Sequence, residues 1–199
     1  MKLQASALIL AVAAWPALGR SGAVAIDTVD VYFCGRDGSS LLLGSGRPLA
    51  AAIFQKIGIH INWHTGKLPA GLRAFGIRTL EQAPKSATSG ALASTRLEGW
   101  SGTEIAIYKD RVQRFLDDHS NLAAVAAGYI LAHELAHAMQ GAPRHSESGI
   151  LKAQWSNDDY QEMIFQKLAF AAVDVELIHR GLALQPAHPA SELLADAPR

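Results

Sequence analysis

The run His133-Glu134-Leu135-Ala136-His137 holds the residues whose types and spacing point most directly to chemistry. On a helix, positions 133 and 137 stack on one face, so their imidazoles can address a single metal ion. Glu134 stands beside that pair, where its carboxylate can hold a metal-bound water and take its proton without becoming a ligand. The competing reading is a pair of neutral histidines making structural hydrogen bonds. That would bury two imidazoles and a carboxylate on a nearly apolar helix, at considerable cost.

A catalytic zinc usually takes three protein ligands and one water. His145 is the first choice for the third ligand. Gly141 can end the helix in the left-handed conformation and Pro143 can stiffen the return, so the chain can double back. Glu162, further along on a helix, is the rival, with Asp158 and Asp159 behind it.

These ligands need a rigid platform. The segment 121–140 is apolar nearly all round, with Ser120 or Asn121 as a cap and Gly141 as terminator, which predicts a buried helix. Upstream, 26–33 alternates Val29, Val31 and Phe33 as a strand. The Gly/Ser-rich stretch 35–46 reads as a loop, and 48–57 as a helix opened by Pro48 and stopped by Gly58. Ile59-His60-Ile61-Asn62-Trp63 then gives a second strand, parallel to the first in a βαβ unit. A third strand is expected at 74–80, a long surface loop at 81–99, a last strand at Glu104–Tyr108 and a second long helix at 158–180, ended by Gly181. The fold class is therefore α+β: a small twisted mixed sheet packed on a buried helix, with a second long C-terminal helix behind.

Composition narrows the alternatives. With 49% hydrophobic and 18% charged residues the chain can build a core, so general disorder is excluded. Eighteen basic and eighteen acidic residues cancel, leaving no overall field for nucleic acid or an anionic membrane. One cysteine excludes a disulfide framework and a cysteine-built zinc ribbon, so the eight histidines are the available soft ligands. Lys2, an apolar run over 5–15 and Ala23-Val24-Ala25 together read as a signal peptide at 1–25. The run is too short to span a bilayer. Cleavage would leave 174 residues: a single domain over 26–184 and a flexible tail over 185–199. The expected mature protein is a monomer, secreted or periplasmic, and not held at a membrane.

The stretch from His133 to His145, followed by Ser146-Glu147-Ser148-Gly149-Ile150-Leu151, resembles the zincin metallopeptidases and, within them, the metzincin branch. That branch carries HExxHxxGxxH and then a methionine-containing turn. Here the glycine falls four rather than three residues after His137, His145 falls eight rather than six after it, and Leu151 stands where the turn would carry methionine. Leucine has nearly methionine's volume and is a mild replacement in a hydrophobic floor. The segment 50–63 is also similar to the opening of small secreted bacterial HExxH proteins.

The resemblance implies a zincin-like fold and a secreted metallopeptidase using Zn²⁺ held by His133, His137 and His145, with Glu134 as general base toward a peptide or protein substrate. The small domain implies an open cleft suited to an endopeptidase. By the same analogy Glu104, Ile105, Ala106, Ile107 and Tyr108 form the exposed sheet edge that pairs with substrate. Tyr160 would be an oxyanion stabiliser or a core residue, and Cys34 a latch on the metal or a buried thiol. Trp155 is expected beneath the site. Two alternatives stay open: a non-catalytic zinc-binding or interaction protein, and a zincin that takes Glu162 in place of His145. Of the other histidines, His60 and His64 are read as sheet-face residues, His119 as solvated and His179 as favoured by a helix C-terminus.

Overall fold

The computed structural model describes residues 27–34, 41–69, 74–96 and 103–184; the expected signal peptide and tail lie outside these. The elements are β1 (Asp27–Phe33), α1 (Leu41–Gly44), α2 (Arg47–Gln55), β2 (Ile59–Thr65), β3 (Ala74–Leu80), β4 (Ala93–Arg96), β5 (Glu104–Tyr108), α3 (Lys109–Asp118), a 3-10 turn (Ser120–Leu122), α4 (Ala123–Gln140), α5 (Asn157–Ile164) and α6 (Ala172–Leu184). The sheet order is β2-β1-β3-β5-β4. β1 pairs in parallel with β2 and β3, β3 in parallel with β5, and β4 antiparallel to β5. The expected βαβ opening is thus present, with β1 and β2 parallel on either side of α2.

Alternation decides which face of the sheet is buried. Val29, Val31 and Phe33 on β1, Ile59 and Ile61 on β2, and Ile105 and Ile107 on β5 all lie in the core. They join Ile130, Leu131, Leu135 and Met139 of α4 in one hydrophobic cluster. Glycines let the neighbouring helices approach α4 closely. A Cβ on Gly128 would lie 2.7 Å from the Leu49 side chain of α2, and one on Gly181 of α6 would lie 2.1 Å from the Met139 carbonyl. The helix that carries the HExxH run is therefore gripped between α2, α6 and the sheet.

Four local expectations need correction. The loop read over 81–99 contains β4, which pairs with β5 and forms the sheet edge. The strand Glu104–Tyr108 is accordingly an inner strand, with β3 on one side and β4 on the other, and its ladder groups are engaged. The helix read over 158–180 is two helices, α5 and α6, separated by 165–171. At the break Gln166 adopts φ 53°, with Gln166 N–H donating to the Met163 carbonyl at 2.9 Å and Lys167 N–H to the Glu162 carbonyl at 2.8 Å. That is a Schellman stop built on glutamine in place of the usual glycine. Finally, neither Ser120 nor Asn121 caps α4; both lie in the preceding 3-10 turn, and Leu122 occupies the cap position without a side-chain bond.

Candidate metal centre

Helix α4 ends at Gly141 in the left-handed conformation (φ 67°), with Gly141 N–H donating to the His137 carbonyl at 3.0 Å. The reversal that follows returns His145 to His133 and His137. One ligand atom from each of the three lies within 4.8 Å of the others. Glu162 does not join them: it is exposed on α5, as is Asp158, while Asp159 is committed to capping α5.

Hydrogen bonds fix how the two helical imidazoles face. His133 Nδ1 meets the Ile150 carbonyl at 2.8 Å, and His137 Nδ1 meets the Ala142 carbonyl at 3.3 Å. A carbonyl only accepts, so both Nδ1 atoms carry the proton. Burial, then the neighbouring His137, holds His133 down to about 3, and the Ile150 carbonyl only partly offsets them. Burial and then His145 hold His137 down to about 4. Both rings are therefore neutral at ordinary pH, and each Nε2 is a bare lone pair. Those two Nε2 atoms face each other at 3.1 Å. Two lone pairs so close repel unless a cation lies between them. Tetrahedral zinc with Zn–N bonds of about 2.0–2.1 Å would set its nitrogens roughly 3.3 Å apart, close to the spacing seen. Three imidazoles are a donor set that suits a divalent transition metal such as zinc.

Glu134 is half-buried beside these rings. Burial pushes its carboxyl up to about 7, partly offset by the Thr95 hydroxyl, which donates to Oε2 at 3.2 Å. Thr95 belongs to β4, so the edge strand orients the glutamate.

The chain after His145 turns back on itself and presents the Ile150 carbonyl to His133. Ser146 N–H donates to the Leu151 carbonyl at 2.8 Å and Ile150 N–H to the Ala169 carbonyl at 3.0 Å. Leu151 is fully buried. Gly149 has φ 77°, and a Cβ there would lie 2.3 Å from the Ala169 carbonyl, so only glycine fits. Trp155 Nε1 donates to the same Ile150 carbonyl at 3.1 Å, and its ring stands edge-on to His133. The Ile150 carbonyl thus fixes both the His133 ring and the indole.

A cleft of about 760 Å³ opens over this group. It is lined by residues 88–95 leading into β4, by the three histidines and Glu134, and by Ile130, Phe115, Lys152, Trp155 and Tyr160. Tyr160 packs against Phe115 and His119, and burial, then Asp159, raises its hydroxyl pKa. The phenol therefore stays protonated and can donate. Cys34 is not among the lining residues; its thiol is half-buried at the end of β1, 3.6 Å from the Tyr32 carbonyl.

Other histidines are engaged elsewhere. His64 pairs with Asp30 at 2.7 Å and stacks on Tyr32, while His60 is exposed on β2. His119 is not simply solvated: its Nδ1 meets the Phe115 carbonyl at 2.9 Å and its ring stacks on Phe115. His179 lies within α6, bonded to Asp27 at 3.3 Å and the Ile57 carbonyl at 2.8 Å, which replaces the helix-end role expected of it.

Two residues of the site left no signal in the sequence reading. Thr95 is one. The other is Asp174 of α6, fully buried behind the His145 loop, where it accepts from Arg144 at 2.8 Å and from Ser146 at 2.5 Å.

No family model matches the chain, and no curated protein matches its sequence. Among solved structures it is similar to archaemetzincin from Methanopyrus kandleri, with a TM-score of 0.52 and 18% sequence identity over 78% of this chain and 96% of that one. The chain therefore has the zincin-like fold of that protein, with three histidines clustered at the end of its central helix.

Proposed function

We propose that the chain is an exported zinc-dependent metallopeptidase. The observation that carries this reading is the three-imidazole cluster, with His133 Nε2 and His137 Nε2 3.1 Å apart and His145 folded back beside them. His133, His137 and His145 would hold the metal, which when bound supplies Lewis acidity toward a water and a peptide carbonyl. Glu134 takes the proton from the attacking water at a carboxylate oxygen and returns it to the leaving amine. Thr95 aims that carboxylate, and the Tyr160 phenol, held protonated, is placed on the cleft wall to donate to an oxygen gaining charge. The outer side of β4 would bind an extended substrate as an added strand, the part first expected of Glu104–Tyr108. Residues 1–25 would direct export and be removed.

A zinc-binding protein without activity is the second reading. It has no use for Glu134, whose carboxylate is costly to bury and is aimed by Thr95 into the cleft. The deciding experiment loads the purified protein with Zn²⁺ and screens a mixed peptide library by mass spectrometry, with Glu134→Gln as control. Cleavage that falls at least about 100-fold in Glu134→Gln, with zinc still bound, supports the peptidase. Zinc binding with no cleavage, or cleavage that survives Glu134→Gln, contradicts it.

A further inference from the structure

We propose that Asp174, on the C-terminal helix α6, is a positioning residue for the metal centre: it clamps the residues on both sides of His145 and so sets where the third imidazole stands. The proposal rests on the zinc reading above.

Asp174 is 0% exposed and comes from an element 30 residues downstream of Arg144. A single oxygen, Oδ1, accepts from Arg144 Nη1 at 2.8 Å and from Ser146 Oγ at 2.5 Å. Arg144 Nη1 also donates to Ser146 Oγ at 3.0 Å, closing a triangle. Arg144 and Ser146 are the neighbours of His145 in the chain, while His145 itself is exposed. The Asp174 carbonyl in turn accepts from Gln140 Nε2 at 3.4 Å, in the last turn of α4 before the chain reverses at Gly141. Both ends of the reversal that delivers His145 therefore hang on one residue of α6.

Stability alone is a poor explanation of this arrangement. A fully buried carboxylate is costly, and a buried ion pair is often no better than an apolar replacement of similar volume. Here the other oxygen, Oδ2, and Gln140 Oε1 are buried with no hydrogen-bond partner among the described residues. What the triangle supplies is orientation. An exposed histidine on a free loop would have to be ordered each time a metal binds, and that ordering weakens affinity. Clamping its neighbours beforehand removes much of the cost. Partners that orient metal ligands typically contribute about 10–100-fold in affinity.

The test is a Zn²⁺ titration of the full chain against a chromophoric chelator, with thermal melts of the metal-free proteins alongside. Asp174→Asn is expected to weaken zinc binding by about 10–100-fold. Ser146→Ala is expected to weaken it in the same direction, and it tests the clamp should Asp174→Asn fail to fold. Because the clamp acts through His145, Asp174→Asn should cause a much smaller further loss in a His145→Ala background, where only the reach of its charge to His137 remains. Wild-type affinity in folded Asp174→Asn or Ser146→Ala would overturn the proposal and leave the triangle a staple of the fold. An equal loss in both backgrounds would overturn it too. A wild-type chain that binds no zinc would instead overturn the zinc reading, and the clamp with it.

Discussion

At the scale of residues, the centre depends on where protons sit. Because the Ile150 and Ala142 carbonyls claim the Nδ1 protons, each helical histidine offers Nε2 inward. The HExxH spacing made His133, Glu134 and His137 legible in the sequence, since it needs only helical geometry. His145 was legible through Gly141 and Pro143, even though the loop is two residues longer than in the family it resembles. Thr95 and Asp174 were not: each reaches the site across a long chain separation, 39 residues from Glu134 to Thr95 and 28 from Ser146 to Asp174, and neither has a pattern around it. Two predictions belong here. Thr95→Val should keep zinc but lower kcat with little change in KM, because it removes aim from Glu134 and not a substrate contact; an unchanged kcat would show that the bond at 3.2 Å is idle. Trp155→Phe removes the donor to the Ile150 carbonyl and should weaken zinc binding less than Asp174→Asn, read in the same chelator titration.

At the scale of elements, segments that are strongly periodic or apolar throughout were readable and irregular ones were not. α4, α2 and the strands of the βαβ opening carry clean apolar patterns. β4 is four residues, Ala-Ser-Thr-Arg, with only Ala93 buried, so nothing in its composition separates it from a loop. α3 follows β5 directly, with no turn residue between Tyr108 and Lys109 to announce it. The α5–α6 break carries no glycine signal in the sequence because Gln166 does what glycine normally does.

The start of α5 offers a pH prediction. Ser156 and Asp159 form a capping box, and Lys152 also bonds Asp159. Burial pushes the Asp159 carboxyl up, but its bonds to Lys152 and Ser156 outweigh that and leave it below its usual value. A lowered folded pKa means that the stabilisation is present above the unfolded value of about 3.9 and is lost as pH falls through the folded one. Asp159→Asn should therefore cost about 1 kcal/mol near neutral pH and nearly nothing in strong acid, measured by urea unfolding across pH. A cost that persists in strong acid would contradict the assignment. Gly181→Ala should also destabilise, by about 1–3 kcal/mol, although glycine to alanine within a helix is ordinarily favourable. The added Cβ would lie 2.1 Å from the Met139 carbonyl and wedge α6 from α4. An unchanged melting temperature would show that the two helices do not meet so closely.

At the scale of the whole molecule, the sheet and α2 hold α4, α6 holds the loop beyond it, and the cleft lies where β4, α4 and the turn at 146–152 converge. None of these pieces makes the centre alone. A bound metal would consequently be linked to folding: a ligand that binds only the folded state at about 1,000 times its Kd adds about 4 kcal/mol, which for a chain of this size raises Tm by on the order of 10 °C. The most direct measurement is the metal content of the purified full chain by elemental analysis, with His145→Ala and Glu162→Ala beside it. The expected result is about one zinc per chain in the wild type and in Glu162→Ala, with most of it lost in His145→Ala. No bound transition metal after zinc has been supplied would contradict the zinc centre, and loss in Glu162→Ala alone would contradict His145 as its third ligand.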